Sequence, residues 1–342
     1  MNIDIDKIID PIDTHPSNEL ITQPYTYLSS IPGNNNNVRT RFIQAFNQLY
    51  YHITNQALLS GIGDIISIFH NSSLLIDDIE DSSMYRRGMP AAHTKFGVPL
   101  TINCGNLMYF IALQRTQNEL PKLAGEEVDG EKLRLEISKI LIDEMLNLHH
   151  GQGLDIYWRD YLRKMETLPS VEEYLEMVKD KTGGLFRLSI KLLALFSPDR
   201  KEGDGDGFDD LIPVANLLGI IYQIRDDYLN LIDTKYSAMK GIAGEDLIEG
   251  KLSLPILHCL RTTDSSSPVH KILYEFPTAE ERLGQSELIE QCIRYMQTES
   301  GSLKYTFGLI KQLETKVKSL ILKSNPQPDS LLIHIIDHLC DI

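Results

Sequence analysis

Apolar residues recur three and four positions apart over most of this chain. The stretches ALLSGIGDIISIFHNSSLLIDDIEDSS (57–83), KLRLEISKILIDEMLNLHHGQGLDIYWRDYL (132–162), VEEYLEMVKDKTGGLFRLSIKLLALF (171–196) and DDLIPVANLLGIIYQIRDDYLNLI (209–232) all read as helices. Their apolar coverage is wide, so each must be surrounded by others. Strand-like alternation is nearly absent, and no repeat of fixed period is visible. The pattern predicts an all-α protein, a large helical bundle. PGNNNNVRT (32–40), SPDRKEGDGDGFDD (197–210) and TTDSSSP (262–268) read as loops between helices rather than as domain linkers. One domain over 16–342 is expected, with residues 1–15 loosely held.

Composition narrows the function. The chain has 342 residues, 42% hydrophobic and 24% charged, which is ordinary globular usage. A net charge of −15 argues against nucleic acid as a partner. Cys104, Cys259, Cys292 and Cys340 form no CxxC pair, so reduced buried thiols in a cytoplasmic protein are expected. The first residues lack the basic start and apolar run of a secretory signal, and no run of about 18 apolar residues marks a transmembrane segment. Cys340 is third from the end, where a prenylation box needs it fourth. DGDGFDD (204–210) lacks the glycine and the final glutamate of a calcium loop and reads as a solvated acidic loop.

Two acidic clusters interrupt the apolar helices. Asp77 and Asp81 stand four apart, hence on one helix face, with Asp78 one step round. A lone cluster of this kind is ordinarily an acidic helix end. The second, Asp226 and Asp227 with Asn230 and Gln223 nearby on the same face, lies inside an apolar helix, where charge is costly unless compensated. Two such clusters facing each other would make an oxygen-lined cleft suited to Mg²⁺ bridged to phosphates. Arg39, His70, Arg86, Arg87, Lys181, Lys240 and Lys251 supply the opposite charge, and together can form a separate anion pocket. Gly183 and Gly184 interrupt a helical pattern after Lys181 and Thr182. They leave two readings open, close helix packing or a kink that turns carbonyls into a cavity.

DDIED followed by RRG, then GQGLDIYWRD, KTGGLF, QIRDDYLNL and EDLIEGKLSLP, in that order, resembles the trans-prenyltransferase family, the isoprenyl diphosphate synthases. The strings are most similar to those of the eukaryotic geranylgeranyl group, and the resemblance runs from about residue 24 to 305 and beyond. It implies an isoprenoid synthase fold around a central cavity. Asp77, Asp78, Asp81, Asp226 and Asp227 would hold Mg²⁺, typically three ions, on the allylic diphosphate (dimethylallyl, geranyl or farnesyl). Arg86, Lys181, Lys240 and Lys251 would assist that diphosphate. Arg39, His70 and Arg87 would hold isopentenyl diphosphate. Thr182 and Gln223, with Lys181, would face the reacting carbons. The family further implies a homodimer or higher homo-oligomer. One departure stands out: Asn36 occupies the place of an expected lysine in a loop about two residues longer, with Arg41 available as a substitute.

Product length follows from the channel that the family implies. Ser72 and Ser73 precede Asp77 by roughly 6 to 7.5 Å along the helix. Small side chains there leave the channel open, and Tyr109, Phe110 and His149 would form its floor, giving a C20 product. The alternative is that these three are plain core residues. A terpene cyclase would need Ser or Thr where Asp233 stands and Glu at Ser237. A non-catalytic partner subunit would ordinarily lack one of the two acidic motifs.

Overall fold

The structure, a computed structural model, describes residues 18–32, 38–125, 130–200, 211–232 and 244–342. Residues 1–15, Asn36 and Lys240 lie outside them. The helices that build the molecule are α1 (Gln23–Ser30), α2 (Val38–Phe46), α3 (Gln56–Glu80), α4 (Val98–Asn118), α5 (Gly130–Tyr161), α6 (Val171–Lys181), α7 (Gly183–Leu195) and α8 (Ile212–Ile232). They are followed by α9 (Glu245–Glu249), α10 (Leu254–Thr262), α11 (Ser286–Thr298), α12 (Ser302–Ser324) and α13 (Leu331–Cys340), with shorter helical turns between. Among the described residues the only strands are β1 (Tyr85–Arg86) and β2 (Met89–Pro90). They pair antiparallel, Tyr85 opposite Pro90 and Arg86 opposite Met89.

Helix ends are set locally. Asn55 starts α3 by accepting the Leu58 N–H at 3.1 Å. Ser170 and Glu173 start α6 with reciprocal side-chain bonds, a capping box. The third expected loop lies where the sequence places it: α10 ends at Thr262, and the next helix begins at Pro268 behind Ser267. The first is shorter than expected, because α2 already starts at Val38. The acidic DGDGFDD lies outside the described residues.

One apolar core runs through the described chain from Leu28 to Cys340. α3 is long and apolar enough by composition to cross a membrane. Here it is the central helix, packed by α1, α2, α4 and α7, with Ile62, Phe69 and Leu75 enclosed. α5 lies on α6 and α7, and α7 lies on α8. The C-terminal end of α3 bonds the last third of α5 through Gln152 and Arg159 and stands beside Lys181 at the α6–α7 junction. All four thiols are buried and free.

Glycine makes that junction possible. A Cβ on Gly151 of α5 would stand 2.4 Å from the Lys181 nitrogen. One on Gly219 of α8 would stand 2.5 Å from the Gly183 Cα. The glycines of KTGG thus serve close packing of three helices. Arg187 straps the junction: its Nη1 donates to the Lys179 carbonyl at 2.7 Å and to Asn216 at 2.9 Å, and its Nε donates to buried Glu144 at 2.9 Å.

Candidate active site

A cavity of about 500 Å³ opens where these helices meet. One part of its wall is acidic: Asp77, Glu80, Asp81, Asp226, Glu245 and Glu249. Lys181, Lys251, Arg39, Arg87 and Arg225 also line it, with Thr182 and Gln223 among them. The remaining wall is largely apolar, from Phe42, Phe46, Ile66, Leu74, Tyr109, Leu148, Leu185 and Phe186. Along α3 the lining recedes from Asp77 through Ser73 and His70 to Ile66, roughly 16 Å at the helical rise.

The acidic helix end is neutralised by the chain itself. After Asp81, the turns at Ser82 (φ 56°), Arg87 (φ 54°) and Gly88 fold the β1–β2 hairpin back over the motif. Arg86 Nε donates to Asp78 Oδ1 at 2.7 Å, and its Nη2 to Asp77 Oδ2 at 3.3 Å. Burial works against the Arg86 charge, but Asp78 and Asp77 outweigh it and raise its pKa. Gln152 bridges Asp77 (3.1 Å) and Glu80 (2.7 Å). Arg159 holds Asp81 at 2.5 Å. Lys181 holds Asp155 at 2.5 Å and stands 3.8 Å from Asp77. Burial opposes ionisation of Asp77, and Lys181, Arg86 and Lys251 overcome it, so its pKa is lowered. Burial likewise opposes the charge on Lys181 and Lys251. Asp155 and Asp77 around the first, and Asp246 and Asp155 around the second, leave both pKa values raised.

Two turns back along α3 from Asp77, burial and then Arg39, Arg87 and Arg86 push His70 well below its usual range. It is a neutral imidazole at pH 7. Arg39 is lowered to about 10, mainly by burial, and stays charged. Arg87 Nη1 and Arg225 Nε are buried without a hydrogen-bond partner. Orphaned guanidinium donors beside a cavity suit an anion with several oxygens.

Adjacent residues expected to share a role are divided by the helix. Asp77 lines the cavity, while Asp78 is 1% exposed and bound to Arg86, with Oδ2 unpartnered. Asp226 lines it, while Asp227 is 1% exposed and held by Tyr174, Gln223 and the Leu254 N–H. Ser73 lines it, while Ser72 is buried and bonds the Ile68 carbonyl of its own helix. Tyr109 lines it with its ring 5.9 Å from His149, but Phe110 is 68% exposed on the outside. Successive helical residues point about 100° apart, so one of each pair faces the cavity. Phe110 is therefore no part of the floor in this chain, and Arg41, two positions from Arg39, is exposed and off the lining. Asn230 is buried and accepts the Asp246 N–H at 3.1 Å, which fixes α9 to α8.

Several site residues carry no role in the sequence reading. Gln152 and Asp155 lie three apart in GQGLD, and Glu245 and Glu249 four apart in EDLIEG. That spacing is the signal that would have found them. Arg159, four residues after Asp155, carries the same signal; Arg225 does not, and only the fold brings it here.

Among the described residues no three His, Cys, Asp or Glu side chains converge as a ready-made metal cage. The donor set still fits a hard divalent cation. Cavity-facing carboxylate oxygens from two helices suit Mg²⁺, which keeps waters and shares phosphate oxygens rather than filling an all-protein site.

Comparison with known proteins shows what the chain is similar to. The polyprenyl synthetase family model matches residues 18–296. A geranylgeranyl pyrophosphate synthase of Eremothecium gossypii is 40% identical over 328 residues, covering 95% of both chains. One of Macrophomina phaseolina is 42% identical over 301 residues, covering 88% of this chain and 82% of the relative. One of Hericium erinaceus is 39% identical over 321 residues, covering 90% and 88%.

Proposed function

The chain belongs to the polyprenyl synthetase family, and on that premise we propose that it is a geranylgeranyl diphosphate synthase. It condenses isopentenyl diphosphate with dimethylallyl, geranyl or farnesyl diphosphate, head to tail, and stops at C20. The observation that carries this is the cavity itself: acidic residues from two helices beside orphaned arginine donors, continued by an apolar wall. Such a cavity takes two diphosphates and an apolar chain. The relatives named above bear the same activity in their names.

The family uses a divalent metal for catalysis. Asp77, Asp81 and Asp226 would hold Mg²⁺, three ions by our reading, and bound there it neutralises the departing diphosphate. Lys181 and Lys251 stabilise negative charge as the allylic C–O bond breaks and its electron pair leaves with diphosphate. Lys240, outside the described residues, would join them. Arg39, Arg87 and the neutral His70, with Arg225, hold isopentenyl diphosphate. The Thr182 and Gln223 oxygens face the allylic cation as dipoles. The isopentenyl double bond supplies the electron pair of the new C–C bond, and the departing diphosphate takes the proton then lost. The surrounding helices exclude the water that would quench the cation.

The same proposal includes a homodimer. Phe110 on α4 and Leu135 on α5 are 68% and 73% exposed, and Ile102, Ile142 and Leu146 are exposed on the same two helices. Leu135, Ile142 and Leu146 repeat on one helical face, a stripe suited to a second copy. Four buried thiols support a reducing, cytoplasmic setting.

The test is incubation with isopentenyl diphosphate, each allylic primer and Mg²⁺, reading product length by mass spectrometry. C20 diphosphate is expected from every accepted primer. A dominant C15 product, or a cyclised hydrocarbon, would overturn the reading.

A further inference from the structure

A glutamine at a reacting centre is useful only if the right end of its amide faces the substrate. The carbonyl oxygen favours a cationic carbon; the NH₂ group repels it. Gln223 lines the cavity beside Thr182, and the group that decides its orientation lies behind it. Asp227 is enclosed, and each hydrogen bond that the structure gives it comes from a donor. The Tyr174 hydroxyl and the Leu254 N–H (2.9 Å) reach Oδ2, and Gln223 Nε2 reaches Oδ1 at 2.9 Å. A carboxylate only accepts, so the Gln223 NH₂ must turn to Asp227. Its Oε1 is then on the cavity side, where it accepts the Thr182 hydroxyl at 2.9 Å.

Tyr174 belongs to α6, two turns before Lys181, and is 2% exposed. Its hydroxyl therefore ties α6 to α8 behind the site without touching the cavity. We propose that Tyr174 and Asp227 are positioning residues, a buried relay that locks the Gln223 amide with its oxygen toward the reacting carbon. Asp227 then acts on the reaction through Gln223 rather than as a metal ligand. This rests on the prenyl-transfer reading of the cavity. It adds a residue, Tyr174, that no motif contains, and it explains why two carboxylates stand side by side on α8.

The test uses the full chain. Tyr174→Phe removes one oxygen and keeps the shape, so the fold should survive. We expect kcat to fall about tenfold or more, with both KM values within about twofold, since loss of an oriented dipole acts on the transition state. In a Gln223→Leu background the same substitution should leave kcat unchanged. A Tyr174→Phe effect that multiplies fully with Gln223→Leu, or that falls on KM alone, makes Tyr174 merely structural and overturns the inference. The orientation is also read without turnover, by neutron diffraction of the deuterated protein. The amide oxygen toward Thr182 is expected, and an ND₂ group of Gln223 toward Thr182 overturns the inference. Absence of any product from the unaltered chain would instead strike the prenyl-transfer reading, whatever the amide shows.

Discussion

Asp77 and Asp78 are neighbours with different tasks. Asp77 faces the cavity; Asp78 is buried against Arg86. Asp77→Asn should therefore cut turnover by at least about a hundredfold, each tenfold being about 1.4 kcal/mol of barrier, in a protein that still unfolds cooperatively in urea. Asp78→Ala should cost about 1 to 3 kcal/mol of stability, because it removes the nearer partner of Arg86 and leaves its Nε unsatisfied, with only Asp77 at 3.3 Å still in reach. Equal stability losses in the two variants would contradict this division. His70 gives a pH signature. Its pKa is depressed by burial and three arginines, so below the ordinary histidine pKa of about 6.5 the unfolded chain binds the extra proton. Stability from this group is complete above that pH and is lost as pH falls. His70→Gln should flatten the decline in melting temperature between about pH 6.5 and 5; an unchanged slope would show that His70 is charged in the fold. At this scale the sequence was half legible. Residue type and helical spacing picked out the acidic pairs, but a pair adjacent in sequence does not say which member faces inward. That depends on how α3 and α8 are rotated, which α7 and the glycine contacts decide.

The elements were more legible than the residues they carry. The period of apolar positions gives α3, α5, α7 and α8 nearly whole, because α3, α7 and α8 are buried on a wide face and α5 is apolar on both its buried and its exposed side. The junction of α6 and α7 was not settled by pattern, since paired glycines fit both a kink and a close crossing. Its resolution needs Gly151 and Gly219, distant in sequence, at the same point in space. The rotation of α3 and α4 also decides chain length. Ser73→Phe puts a ring on the cavity wall and should shift product from C20 toward C15, with consumption of isopentenyl diphosphate retained. Ser72→Phe instead overpacks the core, costing about 1 to 3 kcal/mol with product length unchanged. On α4, Tyr109→Ala should admit longer products and Phe110→Ala should not. Mass spectrometry of the four variants reads this directly; a Ser72 effect on length without a Ser73 effect would mean that α3 is turned the other way.

For the whole molecule, the fold brings together what is scattered through the chain: arginines from α2 and the β1–β2 hairpin, carboxylates from α3, α8 and α9, and the Lys181–Gly184 junction. The outer face follows from the same arrangement. If the exposed stripe on α5 seats a second copy, Ile142→Asp should shift sedimentation from dimer to monomer, and a parent already monomeric at micromolar concentration would contradict it. The central claim is narrower, that one residue of each adjacent pair serves the cavity. The most direct test is a crystal of the full chain with Mn²⁺ and a non-hydrolysable allylic thiodiphosphate, with the metal located by anomalous scattering. Peaks beside Asp77, Asp81 and Asp226, with the prenyl tail running past Ser73 toward Tyr109 and His149, are the predicted result. Metal bound by Asp78 or Asp227, or a tail on another wall, would contradict the account.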